Sequence, residues 1–201
     1  MIEAKLYFRY GAMGCGKTAV LLQVIFNYEQ KGMKALLLKP KIDTKGNNKV
    51  KSRIGLSRKV DYLISENDNL NDLKLDNISA IIVDEAQFLT PKQVEKLYEI
   101  TKFKDIPVIC YGLRCDFRMQ PFIGTSRLLE LADKIEEIKT ICKCGKKATQ
   151  NLRLKNNEPI FDGEQLLIDE STEEYTYLSV CGKCYLELKK AKESNGRKNN
   201  N

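Results

Sequence analysis

Eight residues near the start of the chain, Gly11, Ala12, Met13, Gly14, Cys15, Gly16, Lys17 and Thr18, fit the pattern G-x-x-x-x-G-K-[ST] at every required position. The backbone N–H groups of such a glycine-rich turn, with the N-terminus of a following helix, form a cradle for phosphate. In this pattern Lys17 reaches the outer phosphates and the Thr18 hydroxyl helps to hold Mg²⁺. The motif implies a bound nucleotide but no particular reaction. Mg²⁺ on a triphosphate needs a second anchor, an acid at the end of a buried strand, and the run IIVDEAQF supplies it at Asp84. Successive residues at a strand end point in different directions, so Glu85 can face a second substrate while Asp84 faces the metal. A carboxylate within reach of an acceptor hydroxyl can take its proton as it attacks the γ-phosphoryl. The same carboxylate can instead activate water, which would make the chain an ATPase.

A second constellation lies near the C-terminus. Cys142-Lys143-Cys144 and Cys181-Gly182-Lys183-Cys184 form a C-x-C…C-x-x-C set, while Cys15, Cys110 and Cys115 fall singly. Two close pairs can present four thiolates tetrahedrally, which is a closed structural zinc site. Free thiols in a loop and a redox pair at Cys181 and Cys184 are the other readings of the same residues. The chain has seven cysteines and no histidine. We expect a cytoplasmic protein, where clustered cysteines point to metal or catalysis rather than to disulfides.

Composition sets the outer bounds. The 201 residues suit one domain with a small appendage, and 42% hydrophobic with 30% charged residues is a globular balance. No apolar run approaches the roughly 18 residues of a membrane span, and MIEAKLYFRYG lacks the layout of a signal peptide. The net charge of +7 is mostly diffuse lysine, part of it in the polar stretch from Lys189 to Asn201. As a nucleic-acid footprint it is weak, and we expect neither a nucleic-acid nor a membrane partner.

The elements that must position these residues follow from hydrophobic pattern. Leu6–Tyr10 reads as a strand ending at the glycine turn, and Val20, Leu21, Val24, Ile25 and Tyr28 recur at helical spacing up to Gly32. The apolar runs Ala35–Leu38, Ala80–Val83 and Pro107–Tyr111 read as buried parallel strands. Pro91 opens a helix carrying Val94, Leu97 and Tyr98, residues 125–133 read as another, and residues 134–141 as one strand. Lys41 to Lys59 is polar and basic, the composition of a lid or a disordered loop. Strands alternating with helices give an α/β fold, a parallel sheet with helices on both faces. The expected division is a P-loop α/β domain over residues 1–140, a small zinc-binding domain over 141–190, and a frayed polar tail over 191–201.

Together GAMGCGKT, KPKIDTKG, SRIGLS, VDEAQFLT, YGLRCDFRMQPF, the cysteine set and YLSVC resemble the zinc-containing thymidine kinases, the bacterial members most closely. The resemblance runs from Leu6 to about Tyr185. It implies a RecA-like P-loop domain carrying ATP and Mg²⁺, and a small C-terminal zinc domain whose lasso loop closes over thymidine. It makes Glu85 the general base on the 5′-hydroxyl and sets Gln87 beside the nucleotide. It matches Met13, Phe88, Leu113, Phe117 and Phe122 to an apolar and aromatic base pocket. Gln165, Leu166, Leu167, Ile168 and Asp169 match the segment whose backbone reads the thymine edge, and Tyr177 the tyrosine at the deoxyribose. It also implies a homotetramer.

The chain departs from the family pattern at two places. The family often has Gly-Gly after the base-reading strand, whereas here Asp169 opens a longer, acidic link ending at Glu174. Asp169 must then adopt a conformation that glycine adopts freely, and Tyr175 competes with Tyr177 for the sugar. In the loop before residue 50 the family's Asp-x-Arg becomes Asp43-Thr44-Lys45, which keeps the charge near the nucleotide but loses the bidentate fork. Two rival readings stay open at this point: a nucleic-acid-stimulated ATPase with a zinc ribbon, and a nucleotide-sensing module without turnover. Asp84-Glu85-Ala86-Gln87 also resembles the acidic box of helicases, but 201 residues leave no room for the two such domains a helicase normally needs.

Overall fold

The computed structural model describes residues 3–41, 48–165 and 175–198, the last four by backbone alone. The elements in chain order are β1 (Leu6–Tyr10), α1 (Lys17–Glu29), β2 (Lys34–Pro40), β3 (Lys49–Lys51), β4 (Ser57–Lys59), β5 (Tyr62–Ile64) and β6 (Ile78–Val83). A 3₁₀ turn at Ala86–Phe88 leads into α2 (Pro91–Phe103), then β7 (Val108–Gly112), α3 (Ile123–Leu131) and β8 (Lys134–Glu137). The remainder is β9 (Thr140–Ile141), β10 (Lys147–Ala148), β11 (Gln150–Lys155), β12 (Glu158–Ile160), β13 (Tyr175–Val180) and α4 (Gly182–Lys198).

The chain divides into two compact units. The first comprises Met1–Tyr10, Gly16–Arg114 and Phe122–Ile138 in its described residues. Its sheet has the strand order β5-β2-β6-β7-β1-β8, and every pairing in it is parallel. Parallel strands need crossover connections, and those helices cover both faces. The alternation of side chains divides the core accordingly. Ala35, Leu37, Ala80, Ile82, Ile109 and Tyr111 pack with Leu21, Leu22 and Ile25 of α1. Leu38, Ile81, Val83, Val108 and Cys110 face the other way, onto Val94, Leu97 and Ile100 of α2 and Leu128 of α3. Strands buried on both sides must read as unbroken apolar runs, which is why β2, β6 and β7 are legible from sequence. At α2 the Thr90 hydroxyl accepts from the Gln93 N–H while the Gln93 side chain accepts from the Thr90 N–H. Such a capping box contributes about 1 kcal/mol and fixes where the helix begins.

The second unit takes in Gly11–Cys15, Cys115–Pro121 and Lys139–Asn201 in its described residues. It holds a three-stranded antiparallel sheet in the order β12-β11-β13 and a β9-β10 ribbon. Its core is small: Cys142, Ala148, Leu152, Leu154, Phe161, Val180, Cys181 and Tyr185.

Three sequence expectations need correction. Residues 49–59, expected as polar loop, form an antiparallel hairpin, Lys49 opposite Lys59, pinned by Val50, which is buried in the α1-side core. One apolar residue across the two strands, KVK and SRK, is too little pattern to read. Residues 134–141 are not one strand: β8 pairs with β1, and β9 leaves to pair with β10, so that the chain can turn through Cys142. The helix expected at residue 125 starts two residues earlier, at Ile123. The α4 backbone runs on through residues 191–198 of the polar C-terminal stretch.

Candidate active site

The first unit carries the acids. β6 ends at Val83, and Asp84 follows with its N–H donated to Leu38 O at 3.0 Å. Asp84 is buried. Desolvation, then the adjacent Glu85 carboxylate, pushes it up to about 7, while Lys39 and Lys17 pull the other way. A buried carboxylate held that high is poised to exchange its proton for a bound cation.

Glu85 adopts φ 51° and ψ 38°, the left-handed region. A non-glycine residue there costs of order 1–3 kcal/mol and persists only where the surroundings over-determine it. Here they do. Gln87, 1% exposed, donates from Nε2 to Glu85 Oε2 at 2.6 Å, and its Oε1 accepts the Leu113 N–H at 3.1 Å. The Leu113 carbonyl in turn accepts from the Thr125 hydroxyl at 2.6 Å. Two glycines let backbone approach this turn. A Cβ on Gly112 would meet Gln87 Oε1 at 2.9 Å, and one on Gly124 would meet the carbonyl oxygens of Leu89, Ala86 and Gln87 at 2.6–2.8 Å.

Gln87, expected beside the nucleotide, therefore spends its amide on Glu85 and Leu113. The ring centroids of Phe88 and Phe122 lie 5.3 Å apart, edge to face; Phe88 is half-buried, and Phe122 and Leu113 are buried. Lys17, the first residue of α1, is buried too. Thr18, half-buried, follows in the first turn. Gly16, just before them, has φ 88°, and Gly14 has φ 74°; these are turns a side chain would strain.

The second unit holds the other predicted residues. Met13 is gripped at both backbone groups: its N–H donates to Asn151 Oδ1 at 2.8 Å, and its carbonyl accepts from the Ser179 hydroxyl. Within the same segment the Cys15 N–H donates to Ala12 O at 3.3 Å, and Gly11 and Ala12 are buried. Phe117 is buried under the Arg153 guanidinium, whose Cζ lies 3.7 Å from the ring centroid. Arg153 Nε donates to the Tyr177 hydroxyl at 2.8 Å. Gln165 Nε2 donates to Asp116 Oδ2 at 3.2 Å. Tyr175 sits opposite Lys155 in the β11-β13 register, two residues from the Arg153 and Tyr177 pair. Asp43, Lys45, Leu166, Leu167, Ile168 and Asp169 lie outside the described residues.

The four clustered cysteines converge. Their sulfurs all lie within 4.8 Å of one another, with Cys144 Sγ and Cys181 Sγ 3.6 Å apart. Tetrahedral zinc with bonds of about 2.3 Å requires sulfurs roughly 3.8 Å apart, so the quartet fits a metal ion. The N–H groups of Cys144 and Cys181 lower the Cys142 thiol to about 6, whereas its sulfur neighbours push Cys184 up to about 12. The backbone N–H of Cys184 lowers the Cys181 thiol as well.

Sequence reasoning missed Asn151, Arg153, Asp116 and Ser179. Asn151 and Arg153 alternate with Leu152 and Leu154 along β11, a pattern that reads as a solvent-facing polar side. All four of these β11 residues are in fact buried.

Known proteins resemble the chain along most of its length. The thymidine kinase family model matches residues 4–185. A thymidine kinase of Francisella tularensis subsp. tularensis is 44% identical over 193 residues, covering 92% of this chain and 98% of the relative. A thymidine kinase of Legionella pneumophila (strain Lens) is 46% identical, covering 89% and 87%. That of Escherichia coli O157:H7 is 45% identical, covering 92% and 91%. The crystal structure of Pif1 helicase from Candida albicans aligns with 69% of this chain and 36% of its own at a TM-score of 0.40 and 17% identity. That likeness is too weak to carry an argument. A family match over residues 4–185, joined to relatives equally similar along nearly their whole length, means that the chain belongs to the thymidine kinase family.

Proposed function

We propose that the chain transfers the γ-phosphoryl of ATP to the 5′-hydroxyl of thymidine, with Glu85 as the general base. The observation that carries this reading is the placement of Glu85. It is half-buried, strained into the left-handed region, and held by the Gln87 amide at 2.6 Å. A carboxylate fixed in that way, next to a second acid that serves the metal, is suited to accept a proton from an attacking hydroxyl.

The remaining roles divide by chemistry. The backbone from Gly11 to Gly16 with Lys17 would hold the triphosphate, Lys17 neutralising charge on its outer phosphates. The Thr18 hydroxyl and Asp84 would hold Mg²⁺, which supplies charge neutralisation at the phosphoryl group. Asp43, Lys45 and Gln87 are assigned to the nucleotide side by family resemblance, and Gln87 in our reading acts there through Glu85. Met13, Phe88, Leu113, Phe117 and Phe122 would enclose the flat base, with residues 165–169 and Tyr177 binding its edge and sugar. The quartet Cys142, Cys144, Cys181 and Cys184 would bind one structural Zn²⁺, a staple suited to a unit with so small a core. No described helix is long and apolar enough to cross a membrane. We assign the chain to the cytoplasm, and family resemblance supports a homotetramer with no nucleic-acid partner. The division at residue 140 into a nucleotide-binding and a zinc-binding domain belongs to the same reading.

The test is a phosphoryl-transfer assay with ATP and Mg²⁺ against the common deoxynucleosides. Thymidine monophosphate as the dominant product supports the reading. ATP hydrolysis raised by DNA or RNA, with no nucleotide formed from thymidine, contradicts it.

A further inference from the structure

The centre of the second unit is a buried arginine that no motif singles out. Arg153 is 2% exposed, and its guanidinium engages three parts of the unit at once. Nε donates to the Tyr177 hydroxyl at 2.8 Å. The two terminal nitrogens donate to consecutive carbonyls, Glu164 O at 2.8 Å and Gln165 O at 3.1 Å. The guanidinium carbon lies over the Phe117 ring, 3.7 Å from its centroid. Its hydrogen-bond partners among the described residues are neutral oxygens.

Such an arrangement is poorly explained by core stability. Burying a cation costs several kcal/mol in lost hydration, and an apolar side chain of similar volume is often neutral or stabilising in its place. What an arginine supplies and an apolar residue lacks is geometry: a planar fork that holds acceptors at fixed angles, and a flat face for an aromatic ring. The three residues it joins, Phe117, Gln165 and Tyr177, are those assigned to thymidine on independent grounds. Gln165 is held a second time, by its side chain on Asp116. That carboxylate also accepts the N–H groups of Arg118 and Gln120, so the segment carrying Phe117 and the backbone of Gln165 share one network.

We propose that Arg153 is a positioning residue for the nucleoside: it preassembles Phe117, the Glu164–Gln165 backbone and Tyr177, and so sets thymidine affinity without serving the phosphate site. Ordering these groups before the substrate arrives removes an entropy cost from binding. The inference rests on the thymidine kinase reading and adds to it the residue that organises the acceptor side.

The test compares Arg153→Met, Arg153→Lys and Tyr177→Phe with the full-length wild type. Steady-state constants for thymidine and for ATP are measured alongside zinc content and thermal stability. Losing three charge-assisted hydrogen bonds should raise the thymidine KM of Arg153→Met roughly 10- to 100-fold. In that variant kcat and the ATP KM change by less than about 3-fold, and zinc content is unchanged. Tyr177→Phe, which loses one of those bonds, should shift thymidine KM about 3- to 10-fold. If Arg153→Met does not fold, Arg153→Lys carries the test. Its ammonium fills the site but cannot span both carbonyls and the tyrosine, so thymidine KM still rises at least about 5-fold. A folded variant with wild-type thymidine KM, or one in which thymidine and ATP constants rise in step, overturns the role of Arg153. A wild type that makes no thymidine monophosphate overturns the kinase reading instead.

Discussion

The side-chain amide of Gln87 donates to Glu85 Oε2 at 2.6 Å. Its direction is fixed from behind, because the Leu113 N–H can only donate and so claims the Gln87 carbonyl oxygen. Glu85 is thereby aimed by a residue that is itself buried and doubly bonded. Gln87→Met keeps the volume and removes both bonds. We expect turnover to fall about 10- to 100-fold through misorientation of the base, with ATP affinity nearly unchanged. The unpaired Leu113 N–H should cost about 1–3 kcal/mol of stability. Steady-state kinetics with a denaturation curve checks both parts.

Gly124 lets α3 approach the carbonyl oxygens of Ala86, Gln87 and Leu89. Gly124→Ala forces the 3₁₀ turn to shift, at about 1–3 kcal/mol, or roughly 2–4 °C in Tm for each kcal/mol at this chain size. Because that turn carries Glu85, kcat should fall together with Tm. Calorimetry and kinetics on one preparation test the linkage, and lost stability with intact turnover would separate the two.

Asp84 yields a prediction in pH. Its carboxyl is raised from 3.8 to about 7 in the folded chain. Between those values the folded state binds the extra proton, so this group lowers stability as pH rises through the window, fully above about 7. Asp84→Asn removes that penalty. The ligand-free variant should be more stable than wild type at pH 8, and the gain should vanish near pH 4, while Mg²⁺-dependent activity is lost. Thermal melts at the two pH values, without nucleotide or Mg²⁺, measure it. An equal difference at both would contradict the assignment of the shift to burial.

For the cysteine quartet we expect about one zinc per chain. Metal capture requires the proton to leave each thiol. Zinc release to a chromophoric chelator should therefore accelerate on acidification, as protons compete with the metal for the thiolates. Cys144→Ser should lower zinc occupancy and Tm together. Metal-free protein from non-chelating purification would remove the site.

What the sequence disclosed follows from how each feature is encoded. The phosphate loop, the acids after β6 and the cysteine pairs are short contiguous motifs. The doubly covered strands β2, β6 and β7 each contain an unbroken apolar run. The features it hid depend on contacts across the chain. Val50 anchors a hairpin whose flanks are lysines, and Gln87 turns toward Glu85 only because Leu113, 26 residues on, claims its carbonyl. Arg153 looks like one more surface cation until Tyr177, Glu164 and Phe117 are brought around it.

The central claim is that Glu85 takes the proton of the attacking hydroxyl. Glu85→Gln preserves shape and removes the base, so single-turnover transfer from ATP to thymidine should slow at least about 100-fold. Equilibrium binding of ATP and of thymidine should stay within about 3-fold of wild type, since neither depends on that proton. That combination is what the account predicts. Near-normal transfer by Glu85→Gln would contradict it.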